Sequence, residues 1–316
     1  MRRWLAATLA VLAASVPGAL IAGAPVAAKP GSVIAVGGAL EEDNAAVFRA
    51  LIDAMPKDAP DIVVIPAASA FPGGAAVRFA DALARHGIAR SQVVTAQVAM
   101  VDDPETPGTN EQRWQAGGSD PEQIAKIARA GLIWFAGGDQ ARIIAALVKP
   151  DGTDMPMLAA IRQRLAHGAV IGGTSAGAAV LGEHMIGCGS VDVALTAPVS
   201  RDLADCSRAS ETAKGTPLVL IPGLGFLPGI VFDQHFSQRA RLTRLVRAVA
   251  CIEADAVTGI GVDEDTGFVF DLARDTGYSA GRGTITLVDP SDGRKSCDGA
   301  VMDNVRLVRI PATTAD

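Results

Sequence analysis

The chain passes from Ala169-Val170-Ile171-Gly172-Gly173 straight into Thr174-Ser175-Ala176-Gly177-Ala178. The first five residues are small or branched and apolar, which reads as a buried strand, and residues 176–181 read as the start of a helix. The serine therefore falls on a strand-to-helix turn. Gly173, Ser175 and Gly177 satisfy G-x-S-x-G, whose small residues allow the sharp bend that pushes a serine hydroxyl out at the end of a sheet. The same pattern also occurs as a plain turn rich in small residues, so its weight depends on the rest of the chain.

Around this turn, strands and amphipathic helices alternate. Residues 32–36, 61–66, 92–98 and 133–135 read as strands, and 41–55, 75–86, 121–130, 143–147 and 157–166 as helices. Such alternation predicts an α/β fold of three layers, αβα, with a mostly parallel sheet. Residues 217–221 and 256–262 continue as strands, and 268–270, 284–288 and 305–310 read as antiparallel strands that close the domain. In parallel sheets ligands bind beyond the carboxyl ends of the strands. Gly38, Gly138 and Ser175 all fall at such ends. Neither Gly37-Gly38 nor Gly137-Gly138 belongs to a phosphate-binding glycine pattern.

The N-terminus is of another kind. Arg2 and Arg3 precede an apolar run at 4–14, Pro17-Gly18 breaks it, and Val26-Ala27-Ala28 offers small residues for cleavage. This reads as a secretory signal over residues 1–28, with 29–316 as a single domain exported to the periplasm or secreted. The apolar run is too short for a stable membrane anchor. Losing Arg2 and Arg3 takes the formal charge from −6 to −8, which speaks against a nucleic-acid partner. Export favours disulfides for Cys188, Cys206, Cys251 and Cys297, which contain no C-x-x-C pair. Because Cys188 and Cys206 bracket a polar excursion over 187–215, pairings 188–206 and 251–297 are expected.

Of the four histidines, His86 and His167 each precede a glycine at a helix end, where capping suffices. His184 is expected in the helix after the serine, pointing away from the turn. No pair has metal-ligand spacing, so neither metal nor cofactor is expected. His235 remains as the base for Ser175. It sits in the run FDQHFSQRARLTR at 232–244; on a helix, His235 and Arg239 would be i,i+4 neighbours, and Arg241 and Arg244 i,i+3 neighbours. Arg247 fits a solvated face. Asp263, Glu264 and Asp265 follow the strand at 256–262, and any one of them could orient the imidazole.

Four segments together, FAGGDQARI (135–143), GGTSAGAAV (172–180), FDQHFSQRARLTRL (232–245) and GIGVDEDTG (259–267), resemble in order and spacing the cyanophycinase family of serine peptidases, relatives of the aspartyl dipeptidases. The resemblance implies a flavodoxin-like fold similar to class I glutamine amidotransferases, and hydrolysis of cyanophycin to β-aspartyl-arginine dipeptides. It implies Ser175 as nucleophile, His235 as base and Glu264 as orienting acid. Gln140, Asp233, Gln234, Arg239, Arg241 and Arg244 become the substrate-binding set, since a polymer of aspartate carrying arginines calls for both signs of charge. The N–H groups of Ala176 and Gly138, both at strand ends beside the serine, are expected to form the oxyanion hole. Ala179, the Glu183-His184 pair and the cysteine-bearing excursion depart from the family pattern. The partner is then cyanophycin or a β-aspartyl peptide; a homodimer stays open. The competing expectations are a periplasmic aspartyl or isoaspartyl dipeptidase and a non-catalytic binding protein. An α/β-hydrolase esterase is disfavoured because its acid usually precedes the histidine.

Overall fold

The computed structural model describes residues 29–207, 214–254, 257–290, 295–297, 301–302 and 305–314; the signal expected at 1–28 lies outside the described residues. The first half alternates as β1 (Ser32–Val36), α1 (Ala45–Asp53), β2 (Asp61–Ile65), α2 (Pro72–Arg85), β3 (Val93–Thr95), α3 (Pro121–Ile127) and β4 (Ala130–Phe135). Next come α4 (Gln140–Leu147), α5 (Pro156–Ala166), β5 (Val170–Thr174), α6 (Ala176–Ala179), β6 (Gly182–Cys188) and α7 (Ala204–Ser207). Strands β7 (Val219–Pro222) and β8 (Leu227–Asp233) lead to α8 (Leu242–Cys251) and β9 (Thr258–Val262). The chain continues through β10 (Thr266–Asp271), β11 (Thr276–Gly281), β12 (Thr284–Asp289), β13 (Lys295–Ser296), β14 (Val301–Met302) and β15 (Arg306–Pro311).

Two sheets carry the structure. One has seven strands in the order β11-β10-β1-β5-β4-β2-β3, parallel from β1 to β3 with β10 and β11 antiparallel at its edge. The other has six, β15-β12-β9-β8-β6-β7, with β6, β8 and β9 mutually parallel. In the first sheet alternate residues serve opposite cores, because successive side chains of a strand point to opposite faces. Ile34, Val36, Val64 and Trp134 pack with α1 and α2, whereas Val33, Ala35, Ile65 and Phe135 pack with α4, α5 and α6. With both faces covered, β1, β2 and β4 are nearly continuous apolar runs.

Several sequence expectations are corrected. The helix expected over 176–181 has four residues, after which the chain enters the second sheet, so His184 lies on β6 and not on a helix. The helix expected over 121–130 ends at Ile127, because Ala130 already opens β4. The His235 run is no helix either: residues 234–241 form turns, and α8 begins at Leu242.

Cys188 is bonded to Cys206 and Cys251 to Cys297. The second bond holds the end of α8 against the segment after β12, where Lys295 Nζ also donates to Ile252 O at 2.8 Å. By loop-closure entropy, paired Cys→Ala substitution should cost about 4 kcal/mol at 251–297 and about 3 kcal/mol at 188–206. Urea unfolding of the two double variants measures the difference.

Candidate active site

Strand β5 ends in a bend that only its sequence permits. A Cβ on Gly173 would lie 2.4 Å from Gly177 O, and one on Gly177 would lie 2.2 Å from Phe135 O. Backbone therefore packs on backbone at both glycines of G-x-S-x-G. Between them Ser175 is held at φ 53° and ψ −114°, a strained conformation for a residue with a side chain. Its hydroxyl is turned out at the carboxyl end of the parallel strands.

The partners come from the second sheet. His235 follows β8 and Glu264 follows β9. Ser175 Oγ lies 2.8 Å from His235 Nε2, and His235 Nδ1 lies 2.6 Å from Glu264 Oε1. An ionised carboxylate only accepts, so Nδ1 carries the proton and the Nε2 lone pair faces the serine. Of the three neighbouring carboxylates, Glu264 alone reaches the ring. Asp263 is engaged by the N–H groups of Ser237 (2.9 Å) and Thr284 (3.0 Å), and Asp265 by Asn44 (2.7 Å) and Arg282 (2.9 Å).

Three consecutive carbonyls at the end of β1 hold the segments in register. Val36 O accepts from Ser175 N at 2.9 Å, Gly37 O from His235 N at 2.7 Å and Gly38 O from Asp265 N at 2.8 Å. The imidazole lies flat enough on this turn that a Cβ on Gly38 would sit 2.2 Å from its Cε1. Burial is the main influence on His235 and lowers its pKa; the bond to Glu264 opposes this, and the cations Arg239 and Arg241 add to the lowering. The ring is therefore neutral near pH 7, as a base requires. No acceptor takes the N–H of Gly138 or Ala176 among the described residues.

The expected substrate-binding set is largely spent on internal contacts. Asp233 is 1% exposed, and its carboxylate accepts from Arg244 Nε at 2.9 Å and pairs with Arg241 at 3.4 Å. Arg244 Nη1 donates to Gly189 O at 2.7 Å, and Arg241 donates to both oxygens of Gln234. Gln140 donates to Ile186 O and Gly187 O at 3.1 and 2.6 Å. So Gln140, Asp233, Gln234, Arg241 and Arg244 form a buried polar core beneath the turn, and only Arg239 is partly exposed. Burial leaves their polar atoms bonded to one another or to the backbone carbonyls of Ile186, Gly187 and Gly189. Arg247 also departs from the solvated-face reading: it is buried and donates to Cys297 O. His86 and His167 are the C-cap residues of α2 and α5. Among the described residues no group of three or more His, Cys, Asp or Glu side chains is placed to hold a metal ion. What sequence reasoning missed is the role of Gly37-Gly38, whose carbonyls, and not its turn, do the positioning. The only signal was a glycine pair at a strand end.

An α/β fold whose strand-to-helix serine meets a histidine and a carboxylate has the arrangement of a serine hydrolase. The sequence matches Peptidase family S51 over residues 108–271, just over half of the chain, and the chain belongs to that family. It is 40% identical over 172 residues to a cyanophycinase of Synechococcus elongatus, covering 54% of this chain and 45% of that protein. It is 36% identical over 170 residues to a cyanophycinase of Trichormus variabilis, covering 53% and 48%. The matches thus span about half the length of these relatives. In fold the chain is similar to the crystal structure of a peptidase from an acI-B1 Actinobacterium, with a TM-score of 0.55, 17% identity, and 90% of this chain and 98% of that one covered.

Two outcomes are expected. Asp233→Asn removes a buried counter-charge from Arg241 and Arg244, which should cost about 3–5 kcal/mol in denaturant unfolding. kcat/KM should rise with pH as His235 loses its proton, with the acid limb below the ordinary histidine value. Arg239→Gln removes a cation that disfavours imidazolium, so His235 holds its proton longer and the limb moves to higher pH.

Proposed function

We propose that this serine peptidase hydrolyses cyanophycin to β-aspartyl-arginine dipeptides outside the cytoplasm. The carrying observation is the line Ser175–His235–Glu264, with contacts of 2.8 and 2.6 Å, inside a segment that belongs to family S51. The 36–40% identity to cyanophycinases over about half of the chain supports the choice of polymer.

In this reading Ser175 Oγ attacks the scissile carbonyl carbon while His235 Nε2 takes its proton. The N–H groups of Ala176 and Gly138 stabilise the oxyanion. The tetrahedral adduct collapses as imidazolium gives the proton to the leaving amine, and a water attacks the acyl-serine by the same proton path in reverse. Glu264 holds the ring and its tautomer throughout. Export is supported by the basic-apolar-small pattern of residues 1–28 and by two disulfides, which persist in oxidising compartments. Among the described residues no helix is long and apolar enough to cross a membrane.

A second reading, a peptidase of short aspartyl or isoaspartyl peptides, is favoured by one observation. Asp233, Arg241 and Arg244 are buried and bonded to one another, which favours a substrate smaller than a branched polymer.

Products decide between them. The protein is incubated with insoluble cyanophycin, β-Asp-Arg and α-Asp-X peptides, and products are identified by mass. Release of β-Asp-Arg from polymer is expected; cleavage of Asp-X peptides alone moves the assignment to the second reading. Ser175→Ala should lower kcat by roughly 10⁴-fold or more with folding intact, and an unchanged rate removes Ser175 from the mechanism.

A further inference from the structure

Beside the serine, on the face of the seven-stranded sheet covered by α1 and α2, lies a cavity of about 300 Å³. Its walls include Leu40, Phe79, Trp134, Gly137 and Thr174, and Arg78 and Glu42 stand exposed at its mouth. A much larger hollow, about 970 Å³, opens at the opposite end of the sheet beside Gly31, Ser32 and Asp271 and holds none of the catalytic groups.

The smaller cavity is lined by residues next to the serine. Thr174 precedes Ser175, and a Cβ on Gly137 would stand 3.3 Å from Ser175 Cβ. It also borders the support of the base. His235 hands its proton to the leaving amine, the imidazole rests on Gly38, and the next residues, Ala39 and Leu40, form the cavity wall. The Gln140 amide donates to the Ile186 and Gly187 carbonyls.

The lining chemistry is mixed in a particular way. Phe79 and Trp134 are stacked with ring centroids 4.4 Å apart, giving an apolar floor. The Thr174 hydroxyl is buried and has no partner among the described residues. Arg78 makes no ion pair among the described residues, and its guanidinium folds back over the first turn of α2, with Nη1 2.7 Å from where a Cβ on Gly74 would be. That turn follows Ser69, whose neighbour Ala68 accepts from Asp139 N at 2.9 Å, next to the Gly138 amide. Arg78 thus brings a cation without an ion pair among the described residues to the wall of the cavity. The Glu42 carboxylate, also on the cavity lining, pairs with solvent-exposed Arg85 at 2.8 Å.

We propose that this cavity is the leaving-side subsite and that it takes a zwitterionic arginyl branch. Arg78 holds the branch carboxylate, the apolar floor takes its three-carbon stem, and Glu42 faces its guanidinium. The inference rests on the cyanophycin reading above, in which each leaving aspartate carries an arginine with a free carboxylate. Arg78 is a specificity residue here and takes no part in proton transfer. The chemistry is that of charge-assisted hydrogen bonds at both ends of an apolar linker.

The test uses the full chain and two synthetic dimers of β-aspartyl-arginine, one natural and one with the leaving unit's arginyl carboxylate converted to an amide. Arg78→Ala should raise KM about tenfold for the natural dimer, with kcat close to that of the unaltered protein. It should leave KM for the amide dimer unchanged, because the lost contact is already absent there. Arg78→Lys should recover part of the loss on the natural dimer only. An unchanged KM on the natural dimer, or an equal loss on both dimers, overturns the inference and leaves the cyanophycin reading standing. Failure of the unaltered protein to cleave either dimer overturns that reading and the inference with it, a result seen before any variant is made.

Discussion

Three carbonyl groups at the end of one strand hold the site together. Val36, Gly37 and Gly38 accept, in turn, from the backbone N–H groups of Ser175, His235 and Asp265, at 2.7–2.9 Å. Side chains set 2.6–2.8 Å apart need their backbones fixed at least as finely, and here the fixing is done by main chain, which has no rotamers to lose. The glycines are required by the same geometry: the imidazole occupies the space that a side chain on Gly38 would fill. A strand buried on both faces, as β1 is, makes a stiff support for such a turn.

The proposed catalytic groups are divided between the sheets. The serine ends a strand of the seven-stranded sheet, and the histidine and glutamate end two adjacent parallel strands of the six-stranded one. Beneath the histidine turn, the Asp233–Arg241–Arg244 cluster fixes how the chain leaves β8 for α8. Buried charges of this kind are costly to desolvate, and their worth lies in specifying one arrangement of the turn more than in raw stability. This makes the DQHFSQRxRxxR block a structural signature as much as a binding one.

Much of this was legible in the chain. Strand–helix alternation and apolar runs of strand length gave the α/β class, because burial on both faces writes itself directly into composition. Ser175 and His235 stood out through motif order, the acid stayed open among Asp263, Glu264 and Asp265 until the family resemblance favoured Glu264, and Ser175, His235 and Glu264 stand in one hydrogen-bonded line. Exposure was not legible. Nothing in the spacing of Asp233, Arg241, Arg244 and Arg247 says that their charges face inward, since an arginine-rich run looks the same on a wet surface as over a buried aspartate. The short α6 was missed for a related reason: residues 176–181 are all small or apolar and suit a helix, a turn or a buried strand equally. The second sheet was missed because pairing partners lie far apart in sequence.

The division between sheets also has a bearing on when the protein becomes dangerous to its surroundings. Synthesis runs from the N-terminus, so a growing chain that has emerged through β5 already displays a serine but has neither base nor acid beside it. Sixty residues separate Ser175 from His235, and a further 29 separate His235 from Glu264. On the proposed mechanism, hydrolytic competence therefore arrives late, when β8 and β9 have joined their sheet and their ends have met the carbonyls of β1. On that mechanism, a chain that has not yet folded β8 and β9 lacks the base and acid that Ser175 needs, so its latency is written into the order in which its parts are made.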